Sequence, residues 1–314
     1  MSTAVLFALV VASWGLTPYA ISLQLGPVAP EVLVAYRYAA SGVLVAAVAL
    51  ALGRSLRFTP REHLYLALQG VLMFSLVDLF FYHAIVHAPS GLVQLVVSMM
   101  IVTNILLGAL LLGFPVRRDV ILGAAMGLTG VAMVSWPEFR NMEVTSTGPV
   151  GIALAVAAML AGSLAAISAA RNQRAGLPVL ETTGICMLYG AVCSVVVSLA
   201  LGRAFAWNWS PLFLGAFAWV AIPGSAIGFV LYISLIGRIG PDRAAYTILL
   251  LPIVALAIST ALEGFTWTPL SVVGAVVVLA GNFVVLRKLR RARLVPLLVG
   301  DTAADPPADK QRPL

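Results

Sequence analysis

The sequence predicts an all-α polytopic membrane protein, with ten transmembrane helices arranged as two inverted five-helix repeats. Three observations carry this. Of 314 residues, 61% are hydrophobic and 10% charged, with a mean hydropathy of +1.03. An ordinary soluble chain carries about 25% charge, so this one cannot cover the surface of a soluble domain of its size. Apolar runs of about 20 residues, the length that spans a bilayer, recur along the whole chain. Finally, the two halves of the chain align with each other.

The spans follow in order, separated by turn chemistry. Span 3–23 starts directly after Met1-Ser2-Thr3. No basic residue precedes Arg37, so this run reads as a retained helix rather than a signal peptide. Gly26-Pro27 and Pro30 separate it from span 31–52, and the stretch Gly53 to Pro60 precedes span 62–86. Pro89-Ser90-Gly91 opens span 91–113; Pro115 and Pro137 bracket span 119–136. The second half repeats the pattern. Gly148-Pro149 opens span 149–171, Gly176 to Pro178 precede span 179–201, and Ser210-Pro211 precede span 212–236. Gly240-Pro241 precede span 243–262 and Pro269 opens span 269–286. The first repeat is therefore 3–136, the second 149–286, and 287–314 reads as a basic, disordered cytoplasmic tail. Short connections make sequential helices antiparallel neighbours. Cys186 and Cys193 share a helix face two turns apart, too far for a disulfide, and read as packing residues.

Charge orients the spans. Arg54, Arg57, Arg61, Arg117, Arg118, Arg171, Arg174, Arg238 and Arg243 fall in connections on one side, together with the basic residues of the tail. Arg140 and Arg203 alone fall on the other, and Arg37 lies within a span. This places both termini in the cytoplasm, and the expected location is the plasma membrane, the inner membrane of a bacterium. The formal charge of +7 is then a topological signal, with no nucleic acid implied.

The repeat offset is about 150 residues: Gly26, Glu31 and Tyr82 match Gly176, Glu181 and Tyr232. Two residues are then gained, so that Pro89 matches Pro241, and Gly123 and Gly130 match Gly274 and Gly281. An odd number of spans per half inverts one half against the other, the architecture of many secondary transporters.

The same residues carry a resemblance. Leu262-Glu263-Gly264-Phe265-Thr266-Trp267-Thr268-Pro269, then Gly274, then Leu279-Ala280-Gly281, resemble the closing signature of the EamA domain. Two such domains make up many members of the drug/metabolite transporter superfamily. Trp14-Gly15 with Pro18 is similar to that family's opening motif; Tyr232, Gly240-Pro241 and Pro252 are similar to the middle of its second repeat. The resemblance covers about residues 3–286 and implies ten helices, cytoplasmic termini and export of small metabolites or amino acids. The first half departs from the pattern at Leu112, which stands where Glu263 stands in the second, and at Met99-Met100, where the family often has an acid followed by proline.

Ionisable groups inside a span are expensive and are candidates for function. They are few here: Arg37 in the second span, Asp78 and His83 in the third. Asp78 shares a helix face with Tyr82 at i, i+4. It reads either as a group on the transport pathway or as a structural partner of Arg37. Trp14, beside Gly15 and near Pro18, is placed to form an aromatic cavity wall that can also attract an ammonium. Gln94 and Ser98 share a face of the fourth span, with Met99 adjacent; Tyr232 and Tyr246 are further lining candidates. Gly162-Ser163 stands where Trp14-Gly15 stands in the first half, so the cavity is expected to be asymmetric, with Ser163 on its small-residue side. Gly123/Gly127 and Gly224/Gly228 read as close helix contacts. Glu31, Glu181, Asp119, Asp242 and Glu263 lie near span ends and read mainly as solvated, capping or gate-closing charges.

The sequence has no zinc-protease His-Glu-x-x-His and no phosphate-binding Gly-x-x-x-x-Gly-Lys-Ser/Thr loop. The expectation is accordingly a carrier rather than an enzyme or a primary pump, needing no cofactor. Its partners are a small-molecule cargo and the lipid bilayer, and a monomer suffices. Two other readings stay open at this point: a multidrug exporter of cationic compounds, and a channel-like or scaffold protein in which the repeat merely builds a bundle.

Overall fold

The computed structural model describes residues 2–26, 28–112, 118–140, 148–232 and 246–292. Its helices are α1 (Thr3–Ser22), α2 (Pro30–Ala51), α3 (Pro60–His87), α4 (Ser90–Ser98, continuing after Met99 as Met100–Leu112) and α5 (Arg118–Arg140) in the first half. The second half supplies α6 (Gly148–Arg174), α7 (Val179–Ala200), α8 (Pro211–Tyr232), α9 (Tyr246–Leu262) and α10 (Pro269–Ala292). Each falls on an expected span. Two differ in detail. The fourth breaks at Met99, whose N–H bonds to Val96 O, one residue short of the α pattern. The last continues past 286 to Ala292; the rest of the tail lies outside the described residues.

Local chemistry starts and stops these helices. Thr59 and Glu62 form a reciprocal capping box ahead of α3, with Pro60 at its first position. Ser210 caps α8 by accepting from Phe213 N–H, again with proline next. Beyond α2 and α7, Gly53 (φ 71°) and Gly202 (φ 64°) turn the chain back in the left-handed region.

The halves pack as an inverted pair. α2 lies on α7, α4 on α9 and α5 on α10, each helix against its own counterpart. α1 packs on α9 as α6 packs on α4, and α3 lies on α6. The repeated glycines meet at the α5–α10 contact. A Cβ on Gly130 or on Gly274 would stand 2.6 Å from the other's carbonyl oxygen, and one on Gly281 would stand 2.9 Å from that of Gly123. Only glycines let the backbones approach this closely. Facing outward are Val43, Leu50, Leu64, Leu128, Val192 and Leu199, all exposed. This is the surface expected of helices dissolved in lipid. Helices α1, α2, α3, α6, α7 and α8 are each long and apolar enough to cross a bilayer, and the other four carry shorter apolar stretches. The protein is thus an all-α polytopic membrane protein.

One local feature recurs in both halves. α3 widens into a π-turn at Leu72–Leu76 and α8 at Ile222–Ile227, equivalent places at the repeat offset. A π-turn upsets the regular carbonyl pairing of a helix and often accompanies a functional site.

Candidate functional site

The two π-turns border a central cavity of about 450 Å³, within the usual range of small-molecule sites. Helices α1 to α4 and α6 to α9 line it, while α5 and α10 do not. It runs from Trp14, Arg37 and Asp78 to Gln69, Asn172, Thr182 and Thr183 and reaches Gln173, an exposed residue at the end of α6. The opposite end is sealed: Gln24 and Val28, in the chain between α1 and α2, are buried at 0% and 1% exposure. The mouth therefore opens beside the α6–α7 connection, the side that the basic residues assign to the cytoplasm.

One pole is ionic. Arg37 donates from Nη1 to Asp78 Oδ2 at 2.9 Å and from Nε to Ser225 Oγ at 2.9 Å. Tyr38 donates its hydroxyl to the same Asp78 oxygen. Arg37 and Asp78 are buried, at 5% and 8% exposure. Burying a charge in a bilayer is tolerated when it is paired and hydrogen-bonded, and this pair meets both conditions. The pole is neutral overall, and among the described residues the remaining wall adds no other group charged at neutral pH.

A second pole, beside the first, is aromatic. Trp14 packs on Tyr232 and Phe229, with ring centroids 5.1 and 5.3 Å away. Phe229 meets Phe74 at 5.5 Å, and Phe74 meets Tyr38 at 5.0 Å. A continuous run of rings thus connects Trp14 to the tyrosine that serves Asp78. The indole N–H of Trp14 is already used, donated to Gly224 O at 3.0 Å. Only its ring face remains for a cargo.

Of the residues singled out in the sequence, Trp14, Arg37, Asp78, Gln94, Ser98 and Tyr232 line the cavity. Others do not. Tyr82 is fully buried behind the ionic pole, because its helix face turns into the core past Asp78. His83 lies further along α3, its Nε2 3.0 Å from Glu31 Oε1. Met99 packs on Gly127 of α5, while its neighbour Met100 reaches the cavity against Gly162. Ser163 is buried and shares a 2.6 Å hydrogen bond with Thr103; its neighbour Gly162 is the one on the wall. Tyr246 opens α9, and its side chain lies outside the described residues, as do those of Asp119 and Asp242.

The end-of-span carboxylates also need correction. Glu31 and Glu181 are not solvated: they are 2% and 4% exposed. Glu31 meets His83 and, at 3.4 Å, Arg203; Glu181 meets Arg54 at 3.8 Å. Glu263 accepts from Ser90 N at 3.0 Å, Ser90 Oγ at 2.8 Å and Ser259 Oγ at 2.6 Å. It thereby caps α4 from α9, tying the two halves at the sealed end. The Gly224/Gly228 pair is the close helix contact expected, bringing Thr17 and Trp14 of α1 against α8, and Gly224 also lies on the cavity wall.

Sequence reasoning missed Tyr38, Ser225 and the amide pair Gln69 and Asn172, where Asn172 Nδ2 donates to Gln69 Oε1 at 2.8 Å. Ser225 had a signal, since Ser75 stands at its repeat-equivalent place. Asn172 had none, being one polar residue among several at a helix end.

The EamA-like transporter family model matches the chain twice, over residues 1–136 and 149–287. An uncharacterized transporter of Archaeoglobus fulgidus is 23% identical over 289 residues, covering 90% of this chain and 98% of that protein. The uncharacterized inner membrane transporter YedA of Escherichia coli K12 is 29% identical over 282 residues, covering 87% and 88%. A solved crystal structure at 19% identity shares the fold with a TM-score of 0.63, over 92% of this chain and 99% of that one.

Proposed function

This chain belongs to the EamA-like transporter family, and from that premise we propose that it is a secondary transporter exporting small amphiphilic metabolites, amino acids foremost, by alternating access. Membership makes it a membrane transporter, and the remainder of the reading is argued from the cavity. The observation that carries it is the pairing of a charge-neutral ionic pole with an aromatic pole in one space. A zwitterion satisfies both poles and adds no net charge to a buried site. Trp14, Phe229 and Tyr232 would receive its apolar part, Arg37 and Asp78 its ionised head, and Gln94 and Ser98 the remaining polar groups. The cavity's reach to exposed Gln173, on the side of the α6–α7 connection, fits a carrier resting open to the cytoplasm with both termini there, in an inner membrane.

The multidrug reading needs an intramembrane carboxylate free to exchange a cation for a proton. Asp78 is committed to Arg37 and Tyr38, which favours the zwitterion. Proteoliposomes containing the purified protein test the proposal. The expected result is saturable counterflow of labelled L-phenylalanine and L-leucine, insensitive to an imposed pH gradient. Transport of lipophilic cations driven by that gradient would move the assignment to a multidrug exporter, and non-saturable conductance would remove the carrier altogether.

A further inference from the structure

The π-turn of α8 does more than border the cavity. Its carbonyl at Gly224 takes the indole N–H of Trp14 at 3.0 Å, and that at Pro223 takes the hydroxyl of Ser13. Just ahead of it, Ala221 O takes Ser41 Oγ at 2.9 Å. Ser225, within the turn, is fully buried; its hydroxyl donates to Val220 O at 2.9 Å and accepts from Arg37 Nε at 2.9 Å. Carbonyls that a π-turn takes out of the regular ladder must find other donors. Here the side-chain donors to carbonyls are Ser13 and Trp14 of α1 and Ser41 of α2, while Arg37 of α2 meets the turn at the Ser225 hydroxyl. Space is matched as closely. A Cβ on Gly228 would stand 2.5 Å from Trp14 Nε1, and one on Gly224 would stand 2.7 Å from Thr17 Oγ1.

The equivalent turn in α3 behaves differently. Its serine, Ser75, shares a 2.9 Å hydrogen bond with Ser194 of α7, and neither residue belongs to the cavity wall.

We propose that the α8 π-turn sets both poles of the cargo site: Ser225 is a positioning residue for Arg37, and Gly228 is a positioning residue for Trp14. The hydroxyl of Ser225 holds the Nε edge of the guanidinium, so that Nη1 points at Asp78. Without it the guanidinium loses the hold on its Nε edge and can swing about the Nη1 bond to Asp78. The absent side chain at Gly228 is what lets the indole lie against α8 with its face toward the cavity. Selectivity for the cargo's head and for its tail is therefore set separately, by two positions three residues apart. The inference rests on the cavity being the cargo site, so its test has one arm that needs no cargo.

In that arm, protein labelled with 15N in arginine and tryptophan is studied in detergent micelles, with Arg37→Lys and Trp14→Phe assigning the two signals. Ser225→Ala is expected to speed exchange of the Arg37 Nε–H about ten-fold, the worth of one net hydrogen bond, and to leave the Trp14 indole N–H protected. Gly228→Ala is expected to do the reverse. A Cβ at Gly228 also stands 2.8 Å from Pro223 O, so if Gly228→Ala does not fold the tail is read from Trp14→Phe in the wild-type turn, which should erode discrimination between phenylalanine and alanine and leave the Arg37 Nε–H protected; loosening of the Arg37 signal by it overturns the tail assignment. Ser225→Cys serves in the same way for the head, having nearly the same size and a poor acceptor. Loosening of both reporters by either variant, or of neither, overturns the proposal. The second arm uses counterflow of L-phenylalanine competed by phenethylamine, 3-phenylpropionate and L-alanine. Ser225→Ala should erode discrimination among the first three compounds, and Gly228→Ala discrimination between phenylalanine and alanine, each about ten-fold in apparent KM with the maximal rate nearly kept. Absence of wild-type flux for the whole panel would sink the cargo assignment and leave the exchange arm to decide the positioning.

Discussion

The two repeats fold alike but are used differently: several positions that agree hold the bundle together, and of the matched tyrosines Tyr82 and Tyr232 only the second lines the cavity. Glu31 and Glu181 agree: each is buried in the first turn of α2 or α7 and met by an arginine from just beyond the end of the other helix. Gly53 and Gly202 agree, as do the glycines at the α5–α10 contact. All of these hold the bundle together. The disagreements fall elsewhere. Arg37 corresponds to Met187 and Asp78 to Gly228 at the repeat offset, and these positions build the ionic pole in one half and admit the indole in the other. Glu263 corresponds to Leu112, so the carboxylate that caps α4 has no acidic counterpart. An inverted duplication gives two equal halves; a cargo with a head and a tail requires that they stop being equal at the cavity. The Arg–Glu pairs at the two ends of α2 and α7 are both formed in the same structure.

The strongest way to break this contrast is to make the ionic pole resemble its counterpart. Arg37→Met leaves Asp78 buried without its cation, at a cost of about 3–5 kcal/mol. Thermal unfolding in detergent should show a large fall in Tm. Adding Asp78→Gly, the second repeat's own residue at that place, should restore much of the stability and none of the transport. Recovery of transport by the double variant would mean that the ionic pole is scaffold, as the matched positions are.

The agreeing positions make the opposite prediction, an equal loss from either half. Gly130→Ala and Gly274→Ala each press a methyl onto the facing carbonyl and should cost about 1–3 kcal/mol by overpacking, to similar extents, read as matched falls in Tm. A marked inequality would show that the α5–α10 contact is not the symmetric one described above.

How much of this could be read in advance follows the same division. The ten helices, their order and the inverted pairing were legible because they rest on hydropathy, punctuation and recurring glycines, which are local or periodic signals. Arg37, Asp78 and Trp14 were legible as rare residues in an apolar context. Tyr82, His83, Met99 and Ser163 were each read as lining, and each proves to be close to a lining residue but not itself on the wall. Periodicity places a residue on a helix face to within one step, and the π-turn in α3 and the break at Met99 shift the faces that follow them. Glu31 and Glu181 were read as solvated, capping or gate-closing; their burial and pairing were not legible because their partners, Arg203 and Arg54, come from the other repeat, which no local pattern records.

A smaller effect sharpens the contrast at the sealed end. Glu263→Leu gives the second half the residue of the first and removes the acceptor for Ser90 N, Ser90 Oγ and Ser259 Oγ. Loss of a helix cap costs about 1 kcal/mol, and interhelical hydrogen bonds in membranes are of similar size or less. Hydrogen exchange should accelerate at the first turn of α4 and leave the first turn of α9 unchanged. Acceleration along the whole bundle would make Glu263 a global stabiliser instead of a cap.

The smallest effect separates two residues that the repeat makes equivalent. Arg54 is 3.8 Å from Glu181 with 63% of its side chain exposed, whereas Arg203 is 3.4 Å from Glu31 with 45% exposed. Exposed ion pairs are worth about 0–1 kcal/mol, so Arg54→Ala should fall near the bottom of that range and Arg203→Ala nearer the top. Glu31 keeps His83 when Arg203 is lost, which limits the damage there; Glu181 has no second ionic partner among the described residues. Salt distinguishes a Coulombic tie from a packing effect, because raising ionic strength to 1 M shortens the screening length to about 3 Å. The difference between wild type and Arg203→Ala in Tm should shrink under that condition. If it persists unchanged, the arginine acts through its aliphatic stem, and the match between the two ends of α2 and α7 is one of shape and not of charge.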